Sequence, residues 1–143
     1  MDKSGPIIIM EDDCDDQELL EIVINELGIT NKILFFGNGE VGLNYLKTAE
    51  EQPFLILCDI NMPLMDGIEF KLEIDQDPQL RELDIPFIYF TTTANKLAVN
   101  MAYSTLTVQG FFEKPCDYNG LKRMIKLIID YWMVSRHPCS KHY

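Results

Sequence analysis

The sequence predicts an α/β domain, a doubly wound parallel sheet with helices on both faces, and three observations carry that expectation. Short apolar runs at 7–10, 33–36, 54–58, 86–90 and 108–113 are too short for helices, and the first four are apolar almost throughout, as strands covered on both faces are. Between them lie segments with apolar residues at helical spacing, bounded by capping residues. Short breaks separate the two kinds of segment, with no repeat, linker or low-complexity stretch. The 143 residues therefore read as one domain, 1–143, with a core over about 6–134 and a tail over 135–143.

Ile7-Ile8-Ile9-Met10 is the first strand. A helix over 15–27 follows, with Leu19, Leu20, Ile22, Val23, Ile24 and Leu27 as its apolar set, acids in the first turn where the helix dipole favours them, and Gly28 as the stop. Ile33-Leu34-Phe35-Phe36 is the second strand, and the turn residues Gly37-Asn38-Gly39 open a short helix over 41–46. The third strand, 54–58, ends at Asp59. Asp66-Gly67 begins a helix carrying Ile68, Phe70, Leu72 and Ile74; a separate helical turn starts at Asp77-Pro78, with Asp as N-cap and Pro at the first helical position, and runs to Leu83. The fourth strand, 86–90, ends at Thr91-Thr92-Thr93. A weakly patterned helix spans 95–103, the fifth strand, 108–113, runs up to Lys114, and 117–134 is the longest helix.

A net charge of -11 counts against a nucleic-acid-binding surface, because phosphate backbones reward Lys/Arg patches. No apolar stretch approaches the roughly 20 residues needed to cross a bilayer, and the first residues lead straight into a strand without a signal-peptide pattern. The expectation is a cytoplasmic protein without membrane contact. Its four cysteines, Cys14, Cys58, Cys116 and Cys139, include no CxxC pair and read as reduced thiols. His137, Cys139 and His142 crowd the tail in no recognised zinc spacing and read as tail residues.

In open α/β sheets ligands bind beyond the carboxyl ends of the strands, at the switch in strand order. That rule gathers Glu11 and Asp12 from the end of the first strand, Asp59 from the third, Thr91 from the fourth and Lys114 from the fifth. Three carboxylates packed together repel unless a cation joins them, and hard oxygen ligands in a small site favour Mg²⁺, which keeps several waters and takes one or two carboxylates directly. A carboxylate beside a divalent cation, a hydroxyl and an ammonium has the parts of in-line phosphoryl transfer. Asp59 is then the nucleophile, Lys114 pairs with it at rest and with a phosphoryl oxygen afterwards, and Thr91 hydrogen-bonds another oxygen of the acyl phosphate. Singly, each residue has a plainer explanation: acidic pairs cap helices, a strand-terminal Thr is satisfied by backbone, and a Lys before Pro is a solvated loop residue. Their coincidence at four strand ends is what points to chemistry.

Met10-Glu11-Asp12-Asp13, Cys58-Asp59-Ile60-Asn61-Met62-Pro63-Leu64-Met65-Asp66-Gly67, Phe90-Thr91-Thr92 and Gly110-Phe111-Phe112-Glu113-Lys114-Pro115 together resemble the receiver domain of bacterial two-component response regulators, over about residues 6–134. The resemblance implies a flavodoxin-like (βα)5 sheet with strand order 2-1-3-4-5. It implies Asp59 as phosphoacceptor, Lys114 as the active-site lysine, Thr91 as the switch hydroxyl, and Glu11, Asp12, Asp59 and the backbone carbonyl of Asn61 around Mg²⁺, with Asp13 outside the metal site. It further implies a histidine kinase or histidine phosphotransfer protein as donor, a downstream protein target, and a cis bond between Lys114 and Pro115. Phe111 is the switch aromatic by this likeness, turning inward as Thr91 moves toward the phosphoryl group; a plain core aromatic is its other reading. Asn61 and Thr93 stand where the family tunes hydrolysis. The segment 73–85, longer than many receivers need, resembles the stand-alone subgroup that includes phytochrome-partner regulators, and the chain as a whole resembles the stand-alone, single-domain type of the chemotaxis and phytochrome-partner regulators.

With only 135–143 after the last helix, the expectation is a phosphoacceptor without an output domain. It assists its own phosphorylation and dephosphorylation, is not otherwise an enzyme, and signals by contact. Two other classes compete with this reading. A phosphatase of the haloacid dehalogenase type needs an acid two residues after the nucleophile, where this chain has Asn61. A receiver-like binding module that never takes phosphate predicts loss of a site residue, and all are present. In the last helix Leu121, Met124, Ile125, Ile128 and Trp132 form a core stripe, while Leu127, Ile129, Tyr131 and Met133 are surplus, which predicts a homodimer or a docked partner there.

Overall fold

The computed structural model describes residues 2–92, 96–104 and 106–135. Strands Ile7–Met10 (β1), Ile33–Phe36 (β2), Leu55–Cys58 (β3), Phe87–Thr91 (β4) and Gly110–Glu113 (β5) form one parallel sheet in the expected order β2-β1-β3-β4-β5. Helices Cys14–Glu26 (α1), Gly39–Thr48 (α2), Gly67–Gln76 (α3), Pro78–Arg81 (α4), Lys96–Ser104 (α5) and Tyr118–Val134 (α6) connect the strands or close the chain. The chain steps outward from β1 to β2 and returns past β1 to β3, so the order reverses between β1 and β3 and opens a crevice at their carboxyl ends. Among the described residues no helix is long and apolar enough to cross a membrane.

Successive strand side chains point to opposite faces, and both faces are covered, which is why the runs are continuous rather than alternating. Ile7, Ile9, Leu55, Leu57, Ile88 and Phe90 pack with Leu20, Val23 and Ile24 of α1 and with Leu121, Ile125 and Ile128 of α6. Ile8, Met10, Ile56, Cys58, Phe87 and Tyr89 pack with Leu43, Leu46, Phe70, Ile74, Leu80 and Ala102. Each Leu, Ile, Val, Met or Phe among them, fully buried, is worth about 1.5–3 kcal/mol over leaving it exposed.

Side-chain caps set the helix starts. Asp13 accepts from the amides of Asp15 and Asp16, so α1 begins at Cys14; Asn38 accepts from the Val41 amide at 3.1 Å, so α2 begins at Gly39, two residues before the expected start. Asp66 and Glu69 form a capping box on α3, and Asp77 caps α4 ahead of Pro78 as expected. β5 starts at Gly110 rather than at residue 108, because Gln109 is used differently: its amide donates to the Phe87 carbonyl at 2.9 Å and its side chain accepts from the Phe87 amide at 2.6 Å.

Two expectations about helix faces are corrected. On α3 Leu72 is exposed and Lys71 is buried, because the Lys71 ammonium pairs with Asp75 at 2.8 Å and lies 5.0 Å from the centre of the Phe87 ring. On α6 Ile129 is buried and Met133 packs on the same core, so two of the four surplus residues belong inside; α1 flanks this helix and widens its covered face, with Lys122 reaching Glu26 at 3.5 Å. Leu127 and Tyr131 are exposed, joined by Val134. Thr93, His137, Cys139 and His142 lie outside the described residues.

Candidate functional site

Sheet hydrogen bonds continue past the strand ends and carry the predicted residues to one place. The Asp59 amide donates to the Met10 carbonyl at 2.9 Å, the Glu11 amide to the Phe36 carbonyl at 2.9 Å, and the Lys114 amide to the Thr91 carbonyl at 2.8 Å. Asp59 is 8% exposed, Glu11 2% and Thr91 0%. Asp59 Oδ1 accepts from the Thr91 hydroxyl at 2.5 Å, from the Ile60 amide at 2.7 Å and from the Asn61 amide at 3.4 Å. Asp59 Oδ2 faces the Lys114 ammonium at 3.3 Å.

Lys114 also donates to the Glu11 carboxylate and lies 3.9 Å from Asp16 Oδ2. Burial dominates Glu11 and lifts its carboxyl above the ordinary range; the hydrogen bond and charge of Lys114 pull the other way without reversing it. Burial alone would lower the Lys114 pKa, but Glu11, Asp59 and Asp16 together outweigh it and raise it, so Lys114 is a full cation at neutral pH. The three acids after β1 have separate places. Glu11 is inside against Lys114, Asp13 is occupied capping α1 at 2.9 and 3.1 Å, and Asp12 is exposed at the mouth.

The loop from Asp59 to α3 turns tightly. The Gly67 amide donates to the Ile60 carbonyl at 2.8 Å, and a Cβ on Gly67 would lie 2.2 Å from the Asp59 carbonyl oxygen, so only glycine fits. Leu64 takes φ +65° in this loop and is 78% exposed. Phe111 is half-buried, its ring centre 5.6 Å from that of Tyr89. The Lys114–Pro115 bond is trans, as is every peptide bond among the described residues, which corrects the expected cis isomer. Trans is the lower-energy form even before proline, by about 0.5–1 kcal/mol, and in it the loop already delivers Lys114 to Asp59.

Among the described residues no three His, Cys, Asp or Glu side chains form a ready metal cage. The donor set nevertheless fits Mg²⁺. The ion requires hard oxygens and only one or two carboxylates, which Asp59 and the exposed Asp12 would offer together with the Asn61 carbonyl, while the Glu11 carboxylate is taken by Lys114. Three contributors were not foreseen. Asp16 faces Lys114 from the first turn of α1, Gln17 donates to the Glu11 carbonyl at 2.6 Å, and the Tyr89 hydroxyl donates to the Gly67 carbonyl at 2.7 Å. Asp16 lies four residues before Leu20, on the inward face of α1, and that spacing was the available signal.

Residues 7–126 match the family model of the response regulator receiver domain. The chain belongs to that family. This receiver is 30% identical over 140 residues to the response regulator Rcp1 of Synechocystis, covering 92% of its own length and 93% of that protein's. It is 30% identical over 131 residues to the probable methanogenesis regulatory protein FilR2 of Methanothrix harundinacea, covering 89% and 83%. The Mn²⁺-bound form of Rcp1 superposes with a TM-score of 0.80 at 29% identity, over 93% of the receiver and 98% of Rcp1. The phosphorylated cyanobacterial phytochrome response regulator RcpA gives 0.83 at 26% identity, over 93% and 97%. Two-component signalling is the setting in which this family works, and the flavodoxin-like sheet is the fold shared with these relatives.

Proposed function

We propose that this receiver accepts a phosphoryl group on Asp59 from the phosphohistidine of a histidine kinase or histidine phosphotransfer protein, and signals by phosphorylation-dependent contact with a downstream protein. The observation that carries this reading is the Asp59 carboxylate, nearly buried, with the Thr91 hydroxyl 2.5 Å from one oxygen and the Lys114 ammonium 3.3 Å from the other. Among the described residues Oδ2 meets only Lys114, which makes it the attacking atom. Its bond to phosphorus forms as the P–N bond to the donor imidazole breaks, and the imidazole leaves with the bonding pair and takes up a solvent proton.

Asp12, Asp59 and the Asn61 carbonyl would hold Mg²⁺, which when bound would supply positive charge to the phosphoryl oxygens. Lys114 moves from Asp59 to one phosphoryl oxygen, and the Thr91 hydroxyl leaves Oδ1 for another. Withdrawal of Thr91 opens space beside Phe111, which changes the face made by α5, β5 and α6. Leu127, Tyr131 and Val134 are exposed on α6, where a target or a second copy would bind. The receiver assists its own phosphorylation and dephosphorylation, acts on no other substrate, and works in the cytoplasm. Incubation with Mg²⁺ and acetyl phosphate tests the reading. Intact mass should show one added phosphoryl group in the wild type and none in Asp59→Ala, and an unmodified wild type would overturn it.

A further inference from the structure

β4 carries a second hydroxyl two residues before Thr91, on the same face of the sheet. Tyr89 is 0% exposed and stands in register with Cys58 of β3 and Phe111 of β5. Its ring packs on Phe87 at 5.2 Å and on Phe111 at 5.6 Å between centres. Its hydroxyl leaves this apolar layer and donates to the Gly67 carbonyl at 2.7 Å. Burial pushes the phenol far above its ordinary pKa, so it is a proton donor at every working pH.

Gly67 is where the loop after Asp59 closes. Its amide returns to the Ile60 carbonyl at 2.8 Å and its α-carbon lies against the Asp59 carbonyl. Inside that closure is Asn61, whose amide touches Asp59 Oδ1, and Leu64, a non-glycine residue at φ +65°. A loop with a left-handed leucine keeps its shape only where the surroundings determine it. The Met65 carbonyl accepts from the Gly39 amide at 3.0 Å, and the Gly67 carbonyl is fixed by Tyr89.

We infer that Tyr89 is a positioning residue for the metal and phosphoryl site: through the Gly67 carbonyl it holds the loop that presents Asp59 and the Asn61 carbonyl. The inference rests on the reading of Asp59 and Asn61 given above. It gives β4 two hydroxyls with separate tasks, Thr91 on the carboxylate and Tyr89 on the loop. Groups that orient metal ligands typically cost 10–100-fold in affinity or activity when removed.

Tyr89→Phe deletes one oxygen and keeps the ring. Free Mn²⁺ measured by electron paramagnetic resonance during titration should give a Kd raised about tenfold, and the Gly67 amide of the metal-free variant should exchange hydrogen faster than in the wild type. Phe87→Leu disturbs the same aromatic layer without touching the Gly67 carbonyl. It should lower Tm and leave the Mn²⁺ Kd alone, which a purely structural role for Tyr89 would also show. Wild-type Mn²⁺ affinity and Gly67 exchange in Tyr89→Phe would overturn this inference alone. A wild type that binds no Mn²⁺ would overturn the metal reading and this inference with it.

Discussion

Lys114→Met removes the one cation that, among the described residues, faces both Glu11 and Asp59. Breaking a buried ion pair by deleting one partner costs roughly 3–5 kcal/mol, because the remaining charge stays buried and unpaired. Solvent gives little relief, since the side chains of Glu11, Asp59 and Lys114 are 3%, 10% and 11% exposed. Asp59 keeps three donors on Oδ1, so the burden falls on Glu11, which retains the Asp13 amide at 3.2 Å. The lower end of the range applies, about 3 kcal/mol, or a Tm about 10 °C lower for a chain of this size. The sign with pH follows from Glu11. Burial holds its folded pKa above the usual 4.5, and loss of Lys114, which opposes that shift, raises it further. A carboxyl raised on folding costs stability as pH rises through its folded pKa and returns that stability on acidification. The gap between variant and wild type is therefore widest at neutral pH and narrows toward about pH 5. Urea unfolding followed by Trp132 fluorescence at the two pH values measures it. Equal stability at neutral pH, or a gap that widens on acidification, would refute this account of Glu11 and Lys114.

Gly67→Ala places a Cβ 2.2 Å from the Asp59 carbonyl oxygen and 2.8 Å from the Ile60 Cα, backbone that cannot yield cheaply, so unfolding should show a loss of about 2 kcal/mol. Acetyl phosphate labelling of the folded variant should fall with it. Leu64→Gly relieves a left-handed leucine that is 78% exposed and should gain about 1 kcal/mol in a urea titration; a loss would show that the leucine makes contacts that outweigh its backbone cost. Leu127→Ser with Tyr131→Ser removes exposed apolar surface from α6. Light scattering should show the phosphorylated wild type heavier than the double variant if the partner is a second copy, and an unchanged mass in both would assign that face to another protein.

The sheet was legible because covered strands need continuous apolar runs, and 7–10, 33–36 and 54–58 have no other reading of comparable simplicity. The site was legible because the topology puts strand ends together, so Asp59, Thr91 and Lys114 converge without any local motif linking them. Capping at Asp77 also followed from local chemistry, whereas the separation of Asp13 from Asp12 rested on the family likeness. What escaped prediction is tertiary. Lys71 turns inward only because Asp75 and the Phe87 ring receive it, and Ile129 is covered only because α1 lies alongside α6. The Tyr89 hydroxyl finds its acceptor 22 residues away in a loop, beyond any periodicity. The Lys114–Pro115 isomer was carried by family likeness alone, and an energy difference of about 0.5–1 kcal/mol leaves no trace in residue pattern.

The central claim is that Asp59, and no other acid at this edge of the sheet, becomes the acyl phosphate. Borohydride reduces an acyl phosphate to an alcohol, which marks the modified aspartate as homoserine. After treatment with acetyl phosphate and Mg²⁺, then borohydride and proteolysis, tandem mass spectrometry should find homoserine at residue 59 alone. Homoserine at Asp12 or Asp13 with residue 59 unchanged, or at no position, would contradict the account.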